Sequence, residues 1–182
     1  MPLSETAQKN YTRMFGDFPP PLADSDPEFT RLFLDFALDE VPSQTKLDDR
    51  THFLTVLAAL MGCQGLDCFQ AMAPAALRSG LSPVELKELV YQGTAYLGLG
   101  RVLPFLKAVN EALTAAGVPL PLEEQGTTDP DSRLEAGNQA QVDIFGTHMR
   151  GFQNSGPQES RHINRWLAGN CFGDYYTRGG LD

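Results

Sequence analysis

Basic residues are scarce in this chain: 14 Lys and Arg face 23 Asp and Glu, a formal net charge of −9 over 182 residues. A protein that wraps phosphate backbones needs the opposite balance, so a nonspecific nucleic-acid binder is excluded and no nucleic-acid partner is expected. Long apolar runs are also missing. No stretch reaches the roughly 20 residues of a membrane span, and the start, MPLSETAQKNYTRM, has no basic segment leading into an apolar one. The sequence therefore predicts a soluble, unexported, cytoplasmic protein with no membrane partner. Only three cysteines occur, Cys63, Cys68 and Cys171, an odd number that argues against a secreted disulfide framework. Sustained apolar alternation bounded by hairpin turns is absent too, so no strands are needed to explain the pattern.

What is present is helical periodicity. Residues 47–61, LDDRTHFLTVLAALM, place leucines among small residues behind Asp48 and Asp49, whose carboxylates complement a helix N-terminus. Ser82-Pro83-Val84-Glu85 is a capping box with proline at the first helical position, opening a helix over 82–97 whose Leu86, Leu89 and Val90 share a face. A third helix follows Gly100, with Val102, Leu103, Leu106, Val109, Ala112 and Leu113 at spacings of three and four. Gly117 sits where a C-terminal glycine belongs. Asp26-Pro27-Glu28 caps a further run through Phe29, Leu32, Phe33 and Phe36, and Ser4 to Phe15 is a weaker candidate. The fold class is all-α.

Residues 118–132, VPLPLEEQGTTDPDS, gather proline, glycine, threonine and acids without a period and read as a linker. They separate a helical domain over 1–117 from residues 133–182, where a helix is expected up to about Arg150 and a shorter one after Gly156-Pro157. The two sides echo each other. Gln8 to Phe15-Gly16 is echoed by Gln139 to Phe145-Gly146, the two Phe-Gly pairs lying 130 apart, and Leu47-Asp48 is echoed by Leu181-Asp182, an offset of 134. The segment from 133 onward is accordingly expected to begin a second, truncated repeat, with NCFGDYYTRGGLD as the lead-in to a core that this chain does not reach.

Over Leu47 to Ala116 the chain resembles the carboxymuconolactone decarboxylase family, which includes the alkylhydroperoxidase D type proteins. The likeness runs through LTVLAALMG, AALRSGLSPVELKELVYQGTAYLG and RVLPFLKAVNEAL, and the flanks look like those of two-repeat members. The resemblance implies an alkylhydroperoxidase D-like helical bundle, no cofactor, and assembly as a homo-oligomer. Peroxide-reducing members carry a glutamate on the buried helix, then Cys-x-x-Cys, then a histidine four residues on, so that a proton relay favours the thiolate and a second thiol resolves the sulfenic acid. Aligned through Ser79-Gly80, those positions fall on Phe53, Gly65, Cys68 and Met72. One of the four survives. Cys63 is the candidate partner of Cys68. On a continuous helix the two side chains would lie roughly 140° apart, but a break at Gly65 would relieve this.

The lactone decarboxylases of the family need a cation for a carboxylate and an acid for the carbon that loses carbon dioxide. Arg50 and His52, at the mouth of the long helix, would supply them. Two functions stay open: an enzyme acting on a small-molecule substrate, a peroxide or a lactone, through Cys68 and Cys63 or through Arg50 and His52; or a catalytically empty scaffold serving oligomerisation. His148 and His162 stand 14 apart with no further ligands at zinc spacing, so no metal site is expected. Gly98-Leu99-Gly100 lacks the strand and third glycine of a dinucleotide loop and marks a tight helix connection.

Overall fold

In the computed structural model, which describes residues 2–181, every regular element is helical. The chain runs α1 (Glu5–Phe15), α2 (Pro27–Asp35) continuing as a π-helical stretch Phe36–Glu40 into α3 (Val41–Gln44), then α4 (Asp49–Gly62), α5 (Leu66–Arg78), α6 (Pro83–Leu97) and α7 (Leu99–Ala115). After a helix-free segment come α8 (Arg133–Phe145), two single 3-10 turns, and α9 (Arg161–Trp166), which widens into a π-helical stretch Leu167–Tyr176.

Helices α4 to α7 form the core, because each repeats an apolar row at helical spacing. Phe53, Leu57 and Met61 line the inner face of α4, and Val102, Phe105, Val109 and Leu113 that of α7; Phe69 of α5 meets Phe105 edge-on at 5.1 Å. Burying one such side chain contributes about 1.5–3 kcal/mol. The boundaries follow local chemistry. Asp48 accepts from the Thr51 N–H at 2.7 Å at the start of α4, and Ser82 and Glu85 exchange side-chain and backbone hydrogen bonds at the start of α6. A lone residue, Gly98 at φ 78°, joins α6 to α7, and α7 ends with Gly117 at φ 73° while the Val118 N–H returns to the Leu113 carbonyl at 2.9 Å.

Three expectations differ in detail. Asp26 makes no side-chain cap; its carboxylate accepts from the Ser25 hydroxyl instead. Helix α8 stops at Phe145 and not near Arg150, because Gly146 turns at φ 106° and its N–H returns to the Val142 carbonyl. The helix expected directly after Gly156-Pro157 begins at Arg161. The segment 118–132 is free of helix, yet it is pinned: Thr127 and Thr128 hydroxyls donate to the Thr177 and Gly173 carbonyls, and the Gly179 N–H donates to the Gln125 carbonyl.

The two flanking segments share one pattern. Each runs helix, positive-φ glycine, connection, helix, π-helical stretch, and the burial recurs at the sequence offsets. Ala7 and Tyr11 are buried like Gly137 and Gln141, and Leu38 like Phe172; Phe29, Leu32 and Phe33 are exposed like Ile163, Trp166 and Leu167. The echo of Leu47-Asp48 ends on Asp182, outside the described residues. Several registers depart from the match, Met14 the furthest. Met14 is buried on the core, where its carbonyl accepts from Arg78 at 3.2 Å, whereas Ile144 is exposed.

The second unit docks on the outer face of α6. Glu88, Gln92 and Tyr96, four residues apart, meet Arg178, the Tyr175 carbonyl and the Tyr176 hydroxyl. Arg178 grips the buried Glu88 with two bonds of 2.7 and 2.8 Å and lies over the Tyr91 ring at 5.2 Å.

Candidate functional site

The chemistry-bearing residues singled out from the sequence fall at opposite ends of α4. Arg50 and His52 lie in its first turns, and Cys63 caps its last, so about 20 Å of helix separates the two groups. No single site uses both.

At the far end the chain breaks at Gln64-Gly65, with Gln64 and not Gly65 in the left-handed region. α4 ends at Gly62, Gln64 takes a positive φ of 61°, the Gly65 N–H returns to the Leu60 carbonyl at 2.8 Å, and α5 starts at Leu66. Cys63 and Cys68 thus flank a turn instead of sharing a helix. Both are free thiols on the surface; the Cys63 Sγ rests 3.5 Å from the Leu60 carbonyl oxygen, and Cys68 sits in the first turn of α5. Cys171 is half-buried in the other unit, and burial pushes its thiol up.

The positions that line up with a proton relay hold no titratable group. Phe53 is 1% exposed and belongs to the core row of α4; Met72 packs against the same core from α5. A Cβ at Gly65 would come 3.2 Å from the Leu60 side chain, so a cysteine there needs only a small movement of that leucine. Phe53 and Met72 thus belong to a packed apolar wall, with the Cys63 and Cys68 thiols on the surface outside it.

At the near end Arg50 forms an ion pair with Glu85, whose other oxygen accepts from the Ser82 N–H at 2.8 Å. Burial pushes the Glu85 carboxyl up, but the Ser82 hydrogen bonds and the Arg50 guanidinium together outweigh it and hold the group below the usual carboxylate range. Arg50 therefore ties the start of α4 to the start of α6. His52 is partly buried, its ring edge-on to Phe53 at 6.1 Å. Two surface cavities, one over the outer side of α1 and one between α8 and α9, are lined by none of Arg50, His52, Cys63 or Cys68.

Among the described residues no group of three or more His, Cys, Asp or Glu is placed to hold a metal ion, and no helix is long and apolar enough to cross a membrane. The Glu88–Arg178 pair went unseen in the sequence. Its signal was the polar row Glu88, Gln92, Tyr96 on the back of α6, which periodicity alone assigns to solvent.

Residues 27–111, from α2 through most of α7, match the carboxymuconolactone decarboxylase family. No curated protein and no solved structure matches the chain.

Proposed function

Residues 27–111 belong to the carboxymuconolactone decarboxylase family and have its alkylhydroperoxidase D-like helical fold, and from that premise we propose that this chain serves as a scaffolding and self-assembly unit built on the fold. The observation that supports this reading is the packing of the two positions that the family resemblance aligns with an acid-base pair: Phe53 is sealed in the core and Met72 packs against it. Peroxide reduction by a relay-activated thiol has no proton carrier there. Lactone decarboxylation through Arg50 and His52 would need a guanidinium that Glu85 already engages.

The assembly face is the stripe Phe29, Leu32, Phe33 and Phe36 along α2 and its π-helical continuation, each 54–61% exposed. Four such side chains present about 450 Å² of apolar surface. A standard interface takes about 800 Å² from each partner, somewhat over half of it apolar, or about 450 Å². The occupant that fits is a second copy of this chain presenting the same stripe, giving a homo-oligomer.

A second reading, thiol-dependent peroxide reduction without the relay, is favoured by one feature: the break at Gln64-Gly65 sets Cys63 and Cys68 both on the surface beside one turn. Two measurements decide. Light scattering should find an oligomer that Phe33→Glu dissociates while the helical circular dichroism is kept; a monomeric parent protein overturns the assembly reading. Hydroperoxide consumption with a dithiol reductant should match that of the Cys68→Ser variant; turnover that disappears in Cys68→Ser establishes the second reading.

A further inference from the structure

The duplicated pattern lets one unit serve as the reference for the other. In the first, Arg31 reaches Asp35 one helical turn on, at 3.4 Å, and Asp35 also accepts from the Ser4 N–H at 2.8 Å. The cation there is neutralised from within. At the offset of 134 the same positions hold Arg165 and Gly169. The guanidinium is kept and its carboxylate is gone; among the described residues no carboxylate pairs with Arg165.

A second cation joins it. Arg133, at the start of α8, takes the register of Leu3 and donates through Nε to the Gly169 carbonyl at 3.4 Å, while its Nη2 pairs with Asp174. Asp174 pairs with Arg133, so of the two guanidinium groups it is Arg165 that forms no ion pair among the described residues. Beside it opens a cavity of about 170 Å³, walled by Leu134, Pro130 and Trp166 as well as by the two arginines. Trp166 is braced edge-to-face by His162 at 4.7 Å.

We propose that this cavity binds a small organic monocarboxylate with a flat apolar body, the carboxylate taking the place of the absent acid against Arg165 and the body lying on Trp166 and Leu134. A guanidinium meets a carboxylate as a planar, charge-assisted fork, and an indole face accepts a flat hydrocarbon. The volume corresponds to roughly six water molecules, which suits an anion the size of benzoate. The site is separate from the assembly stripe on α2 and from Cys63 and Cys68.

Trp166 is the chain's one tryptophan, so it reports on its own cavity. Benzoate titrated into the 182-residue chain should give a saturable change in tryptophan fluorescence, and benzyl alcohol, its uncharged counterpart, should not. Arg165→Ala should weaken binding at least tenfold, and the control Arg31→Ala should leave it unchanged. Gly169→Asp restores an internal carboxylate in a place with room for it, the nearest atoms to a new Cβ being 3.9 Å away. That variant should also lose at least tenfold in affinity. Linear, unsaturable quenching, an equal response to benzyl alcohol, or parent-like binding by Arg165→Ala overturns the proposal. Should Gly169→Asp misfold by circular dichroism, Arg165→Gln replaces it and must show the same loss.

Discussion

Replacing Gly137 by alanine sets two effects of known size against each other. Gly137 lies inside α8, where alanine is favoured over glycine by about 1 kcal/mol, so propensity alone predicts a more stable protein. Packing predicts the reverse. Gly137 crosses the π-helical stretch so closely that a Cβ would overlap the Ala168 carbonyl oxygen and stand 2.7 Å from the Gly173 nitrogen, and Gly173 faces the Arg133 carbonyl just as tightly. Both obstacles are backbone, so no side chain can swing aside. Overpacking costs about 1–3 kcal/mol even where side chains yield, and this site belongs at or above the upper end. The net expectation is destabilisation by about 2 kcal/mol, which in a protein of this size lowers the melting temperature by about 4–8 °C. Thermal unfolding followed by Trp166 fluorescence, which sits in the same unit, measures it. Gly100→Ala, in α7 with nothing within 4 Å of a new Cβ, is the control and should be neutral or slightly stabilising. A Gly137→Ala protein as stable as the parent would refute the close helix crossing.

Arg178→Ala leaves the Glu88 carboxylate, 3% exposed, without its partner. Breaking a buried pair costs about 3–5 kcal/mol, and the partial exposure of Arg178 places this one near the bottom of that range. The second unit should loosen first, seen as faster proteolytic cleavage within residues 118–181 while the core stays resistant. Glu85 gives a pH dependence of defined sign. Its carboxyl is held below the usual range when folded, so its contribution is present above the unfolded value near 4.5 and is lost as pH falls through the lower folded value. Urea midpoints taken across that acid window should therefore fall more steeply for the parent than for Glu85→Gln. Ser82→Ala should cost about 1 kcal/mol at neutral pH through loss of the cap.

Much of the fold is written in local signals. The capping box at Ser82, the glycine after α7 and the apolar rows of α4, α6 and α7 each declare an element within a few residues, because caps and helical faces depend on neighbours three or four positions away. The π-helical stretches were not legible: they carry the buried Leu38 and Phe172, and no cap or spacing in the sequence marks a widened turn. The candidate site was legible only as a set of residue types. Cys63 and Cys68 were visible as a spaced pair, but their surface position needed the turn at Gln64-Gly65. Arg50 was visible as a cation, but its engagement with Glu85 lies 35 residues away in the chain.

Composition and periodicity alone determined that this chain is acidic, helical and without a run of sequence long and apolar enough for a spanning helix among the described residues, because each property sums over neighbours or over the whole chain. Only the tertiary structure decided which charges distant in sequence neutralise each other. Arg50 has Glu85, 35 residues away, and Arg178 has Glu88, 90 residues away. Such a pair depends on where helices far apart in sequence come to rest, and that is set by packing.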